Sequence, residues 1–138
     1  MKHLLCIDYG DKHIGLAVAT TLIAEPVATV LKPESLDHIQ KLINEYNIRA
    51  LVVGISEGQM AKKTREYAHE LNQNFDLPIY FQDETLSSLE TRKKMAQAQK
   101  KKSKRESKID HYVATGILQD FIDEHSPLDE LPKADRMN

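Results

Sequence analysis

One cysteine in 138 residues excludes an internal disulfide and any zinc centre built on thiolates. Cys6 stands in the apolar run Leu4-Leu5-Cys6-Ile7, so it reads as a small core residue rather than a nucleophile. That usage fits a reducing, intracellular compartment. Long hydrophobic runs are missing as well. The longest, such as Ala50–Ile55, hold six residues, where a membrane span needs about 20. The opening MKHLLCIDYG carries charge within eight residues and does not read as a secretory signal. No internal repeat is visible. What is present, 41% hydrophobic and 29% charged residues, is the composition of a soluble globular protein. The length suits one domain, which we place at residues 1–125, followed by a loose tail over 126–138 that holds two prolines and mixed charge.

The net charge of −2 hides a segregation. Arg92 to Lys108 contains nine basic residues and the single acid Glu106, a net +8 that leaves −10 on the rest of the chain. Such a patch suits a polyanionic partner despite the acidic whole; it is also what a solvated basic loop looks like.

Hydrophobic patterning gives the order β-β-β-α-β-α-β-α-α. Lys2–Asp8 and His13–Thr20 read as strands joined by the turn Tyr9-Gly10-Asp11-Lys12, where Gly10 is expected to supply a positive φ. Pro26–Leu31 is a third strand, expected at a sheet edge. Leu36, Ile39, Ile43 and Tyr46 recur at helical spacing behind Pro33. Ala50–Ile55 is continuous and Val-containing, as in a strand buried on both faces. A helix over Gly58–Phe75 precedes a fifth strand, Pro78–Gln82. A further helix is expected from Ser87, where Ser87-x-x-Glu90 has capping-box form. The last starts near Ser103 or Ser107 and ends near His125, with Ile109, Val113, Ile117 and Phe121 as its stripe. Three sequential strands imply an antiparallel meander, and strands alternating with helices imply parallel additions. The expectation is an α/β fold: a mixed five-stranded sheet with helices on both faces.

Three acids stand out. Asp8 follows an apolar strand, and the carboxyl ends of strands are where α/β folds place their sites; alternatively it opens an Asx-turn. Glu84 ends another strand beside Asp83, and alternation allows only one of the two to face a given site. Asp110 lies in the first turns of the last helix with Ala114 one turn on, where Ser107-x-x-Asp110 also resembles a capping box. Together the three suit oxygen ligation of hard cations such as Mg²⁺ or Mn²⁺, since unneutralised they would repel. Two such cations roughly 4 Å apart activate water and stabilise a leaving oxygen in phosphodiester cleavage. His111 is expected to face solvent, because neighbouring helix positions diverge by about 100°. Tyr67 and Tyr80 read as packing residues. Tyr9 is open between stacking on a base and packing beneath its loop.

Ile7-Asp8-Tyr9-Gly10-Asp11-Lys12-His13-Ile14-Gly15-Leu16-Ala17-Val18 resembles the opening motif of the YqgF (RuvX-like) family. Val52-Val53-Gly54-Ile55 resembles its fourth strand, and Asp83-Glu84-Thr85-Leu86-Ser87-Ser88 its D-E-R-L-T-T block. Ile109-Asp110-His111-Tyr112-Val113-Ala114 resembles the start of its final helix. The matches run in order over residues 4 to 124. That family is associated with pre-16S rRNA maturation and with Holliday junction resolution, on an RNase H-like fold. The resemblance implies that Asp8, Glu84 and Asp110 are catalytic and hold Mg²⁺ or Mn²⁺. It implies a nucleic-acid substrate; the residues we expect to contact it are Lys12, His13, Lys100, Lys101, Lys102, Lys104 and Arg105, the basic run by pairing with phosphates. It also implies a cytoplasmic location; no membrane partner is expected, and a monomer or weak homodimer is.

This chain departs from the family pattern at His13 and Thr85, where the family usually has arginine, and in the loop Gly54-Ile55-Ser56-Glu57-Gly58, which is shorter than the family's G-L-P-x-x-x-D-G. Arginine is a permanent bidentate phosphate clamp; histidine is pH-dependent and threonine offers a hydroxyl. Four readings follow: an endonuclease on structured RNA, most specifically the 16S rRNA precursor; a resolvase on branched DNA; a catalytically weak RNA-binding assembly protein; and an actin-like nucleotide-binding fragment, suggested by Asp8-x-Gly10-x-x-x-x-Gly15 but opposed by the short length.

Overall fold

A computed structural model describes residues 2–84 and the helix that runs on to His125, whose side chains are described from His111. The expected helix from Ser87, the basic run over 100–105 and the tail over 126–138 lie outside the described residues.

The described elements are β1 (Leu4–Asp8), β2 (His13–Ala19), β3 (Glu25–Leu31), a 3₁₀ turn (Lys32–Glu34), α1 (Ser35–Tyr46), β4 (Ala50–Ile55), α2 (Gln59–Asn74), β5 (Ile79–Asp83) and α3 (Glu106–Glu124). The sheet order is β3-β2-β1-β4-β5. β1 pairs antiparallel with β2, and β2 with β3. β4 pairs parallel with β1, and β5 with β4. The mixed five-stranded sheet is the one expected, with β3 at an edge.

Each strand's burial explains its place. Every residue of β1 and β4 is buried, because both faces of these strands are covered. The edge strand β3 is mostly exposed or half-buried. It carries Pro26, tolerated there because an edge needs no donor. Its pairing with β2 shifts register between Leu16 and Ala17, a bulge of the kind edges accommodate.

Alternation divides the core in two. Leu4, Cys6, Ala17, Ala19, Ala50, Val52 and Tyr80 face α3 and its Val113, Ala114, Ile117, Leu118 and Phe121. Leu5, Ile7, Leu16, Val18, Leu51, Val53 and Ile79 face α1 and α2 through Ile39, Tyr67 and Leu71. Each large side chain buried this way contributes about 1.5–3 kcal/mol, so the α3 stripe alone seats its helix firmly. Helix α1 ends at Asn47 in the left-handed conformation (φ 51°), a common helix stop. Among the described residues no helix is long and apolar enough to cross a membrane.

Candidate active site

The parallel pairing of β1, β4 and β5 brings their carboxyl ends to one edge of the sheet. Asp8 closes β1 and is buried, at 5% exposure. Glu84 follows β5, and its backbone N–H donates to the Ile55 carbonyl at 3.0 Å, so the end of β4 fixes it in place. Both acids line one pocket of about 240 Å³. Alternation explains why Glu84 and not Asp83 is there. Ile79 faces α1 and α2 while Tyr80 faces α3; even-numbered positions of β5 therefore share the α3 face with Cys6 and Asp8. The buried Cys6 thiol reports the same convergence. Its pKa is raised well above the usual value by burial first, then by the negative charges of Asp8 and Glu84.

A row of residues crosses the sheet at the level of Asp8. Asp8 pairs with Gly15, and Gly15 with Thr29. On the other side, the position after the Ile7–Val53 pair is Gly54, which pairs with Gln82. Asp8 is thus flanked by glycines on both neighbouring strands. Gly54 also meets the helix above: a Cβ there would lie 2.6 Å from Ile117 Cδ1.

Helix α3 runs over this row. Thr29 Oγ1 accepts from the His111 backbone N–H at 3.2 Å and shares a second hydrogen bond with His111 Nδ1 at 3.0 Å. His111 is half-buried against β3, not turned to solvent as its place beside Asp110 suggested; the hydroxyl of an edge-strand threonine gives its ring a partner. Position 110 lies immediately before it and one turn before the fully buried Ala114. The side chain of Asp110, like Thr85, lies outside the described residues. So do Lys100, Lys101, Lys102, Lys104 and Arg105. Among the described residues no three potential ligands gather into a metal site; two of the three expected acids share the pocket.

The loop between β1 and β2 forms the pocket's other wall, through Tyr9, Gly10 and His13. Gly10 is required by close approach rather than by positive φ, the reason expected: a Cβ would lie 2.6 Å from the His13 carbonyl oxygen. Lys12 is exposed and stands outside the pocket lining, while its carbonyl accepts from the Lys32 N–H at 2.9 Å. Tyr9 packs beneath the loop. Its ring lies 5.1 Å from that of Tyr67, and its hydroxyl accepts from Lys32 Nζ at 2.8 Å, which raises the lysine's pKa. Ser35 Oγ completes the cluster, donating to the Lys32 carbonyl at 2.7 Å and sharing a 2.5 Å hydrogen bond with Tyr67 Oη.

Burial pushes the Tyr67 phenol up to about 12 from 10.0, with the Ser35 hydroxyl opposing. The folded state therefore holds that proton more tightly than the unfolded chain. The resulting stability is complete below pH 10 and is lost as pH rises towards 12, about 2–3 kcal/mol for a shift of this size. In urea denaturation between pH 9 and 12, Tyr67→Phe should flatten the fall above pH 10. The part due to Cys6, which starts near its own ordinary value of 9.0, should persist.

Ser56 and Met60 complete the lining and were not picked out from the sequence. The available signal was topological: Ser56 directly follows a parallel strand at the same sheet edge as Asp8.

The profile of the family described as "RuvX: Holliday junction resolvase" matches residues 2–124. The chain is 32% identical over 131 residues to a Roseiflexus protein named "Putative pre-16S rRNA nuclease", covering 87% of this chain and 93% of that one. It is 34% identical over 140 residues to a Pseudomonas syringae protein of the same name, covering 93% and 96%. Among solved structures, Thermus thermophilus RuvC in complex with a Holliday junction substrate superposes with a TM-score of 0.62 at 15% identity, over 93% of this chain and 96% of that one. That likeness is one of fold, and makes this an RNase H-like sheet.

Proposed function

Because the chain belongs to the RuvX family, we propose that it is a divalent-metal-dependent endonuclease of structured nucleic acid, acting on the 16S rRNA precursor. The observation that carries this reading is the shared pocket of Asp8 and Glu84 at the carboxyl ends of β1 and β5, with the first turns of α3 held over the same row. The donor set fits a hard cation. It offers carboxylate oxygens, and two negative groups stand close enough to act together on one buried thiol.

In this reading Asp8 and Glu84 would hold Mg²⁺ or Mn²⁺, with Asp110 completing the set from α3. The chemistry such ions would supply, when bound, is activation of a water and neutralisation of charge on the leaving oxygen. The protein's own groups do the rest. The pocket that Asp8 and Glu84 share with Gly10, His13 and Ser56 receives the scissile phosphate. His13 and Lys12 on the β1–β2 loop contact the backbone on either side, and the anchoring of that loop through Tyr9 and Lys32 keeps those contacts in register. Burial of Asp8 strengthens its interactions by lowering the local dielectric.

The test is cleavage of a 16S rRNA precursor by pure protein with Mg²⁺ or Mn²⁺, run beside a four-way DNA junction. Metal-dependent cutting of the RNA at defined positions is expected. Cutting of the junction alone would transfer the activity to DNA recombination, and tight RNA binding without turnover would leave a binding protein.

Lys100, Lys101, Lys102, Lys104 and Arg105 act in this proposal by pairing with phosphates. Replacing all five with glutamine should weaken RNA binding and lower the slope of log affinity against log salt by about 0.7–0.9 for each phosphate no longer neutralised. An unchanged slope in a filter-binding titration would remove them from the interface.

A further inference from the structure

We infer that Thr29 is a positioning residue, which holds the first turns of α3, and position 110 with them, at the level of Asp8; the inference rests on the metal-site reading above. Thr29 lies on the edge strand, two strands away from Asp8, yet on the same cross-sheet row through Gly15. Its hydroxyl accepts from the backbone N–H of His111 at 3.2 Å, and that nitrogen belongs to the peptide unit joining Asp110 to His111. The same hydroxyl bonds the His111 ring at 3.0 Å. One side chain therefore fixes both the backbone and the orientation of the residue next to the proposed ligand.

The rest of α3 is seated by packing that begins at Val113 and runs through Ile122, and by hydrogen bonds in its second half, where Gln119 accepts from the Ala24 N–H and donates to the Leu22 carbonyl and Gln82 donates to Glu124. These hydrogen bonds set the helix against the sheet two turns or more beyond position 111, and apolar contacts nearer to it are not directional. A hydrogen bond to a strand at the level of Asp8 is directional. Gly15 leaves the strand between them without a side chain, and the Thr29 hydroxyl on that row bonds the turn. Thr115 Oγ1 donates to the His111 carbonyl at 2.6 Å and stiffens the same turn from behind.

The experiment compares wild type, Thr29→Val and Thr29→Ser. Valine keeps the shape and the strand preference and removes only the hydroxyl; serine restores it. Thr29→Val is expected to lower kcat about tenfold with KM for RNA unchanged, because a misplaced ligand affects the reacting centre and not substrate grip. Without nucleic acid, Mn²⁺ affinity measured by electron paramagnetic resonance should fall several-fold in the valine variant. Serine should return both quantities to within about twofold of wild type. Wild-type cleavage and Mn²⁺ binding with a valine variant equal in both would overturn the role of Thr29 alone. A wild type that neither cleaves nor binds Mn²⁺ would overturn the metal-site reading and this inference with it. A valine variant that loses thermal stability while keeping kcat and Mn²⁺ affinity would make Thr29 a structural contact only, and the inference would fail.

Discussion

Asp8→Asn is expected to leave the chain folded and to lower metal-dependent cleavage about a thousandfold or more, some 4 kcal/mol of transition-state stabilisation. The substitution keeps shape and hydrogen-bonding capacity but removes a charge from a position that is 5% exposed and shares its pocket with Glu84. Melting without metal sets the baseline for each protein. The diagnostic is the response to Mg²⁺. Wild type should gain stability as the ion is raised, reaching about 2.7 kcal/mol at a hundredfold excess over the dissociation constant, and the variant should gain little. Substrate binding, measured by filter retention without metal, should be unchanged or tighter, since an anionic group no longer faces the phosphates. Equal cleavage by Asp8→Asn, or cleavage insensitive to EDTA, would overturn the mechanism.

Gly54→Val is the second large effect, on stability and activity together. The position lies in a fully buried strand, on the row of Asp8 and under α3, with Ile117 Cδ1 2.6 Å from where a Cβ would stand. Both side chains are held in a packed interior, and Ile117 is fully buried, so relief must come from displacing the helix or from an unfavourable rotamer. Overpacking of this kind costs about 1–3 kcal/mol, and valine, with two further methyls, falls at the upper end. Gly54→Ala should cost less, because the nearest atom is the tip of an isoleucine. The cause can be isolated with a double-mutant cycle: Ile117→Val should recover much of the loss from Gly54→Ala, with a coupling of about 0.5–3 kcal/mol. Additive losses would show that the crowding lies elsewhere. Because a displaced α3 carries position 110 with it, Gly54→Val should also lower cleavage in protein that remains folded, as judged by circular dichroism at the assay temperature.

Much of the architecture was legible along the chain. The six-residue run Ala50–Ile55 coincides with β4, since a strand covered on both faces must be apolar at every position. The α3 stripe was read from spacing alone and is buried from Val113 onward. The order of elements put the third strand, β3, at an edge, where it lies. The acids were visible as carboxylates ending apolar runs, a local oddity that needs no tertiary knowledge. Other features were not legible. Asp83 and Glu84 are adjacent and chemically alike; the pleat of β5 decides between them, and which face meets α3 is a property of the packed sheet. Gly10 was assigned the right importance for the wrong reason, because its constraint comes from the His13 carbonyl folding back within the turn. Thr29 carries no motif at all. Its relevance arises only when β3 pairs with β2 and α3 crosses above.

From its composition and patterning alone this chain was committed to strands, helices and three conspicuous acids, because burial demands apolar periodicity and carboxylates are rarely placed beside apolar strands without cause. The assembly decided which of those groups meet. Parallel pairing carries the ends of β1, β4 and β5 to one edge, alternation selects a face, and α3 crosses above the row of Asp8. Those relations depend on register between segments remote in the chain, which local sequence does not encode.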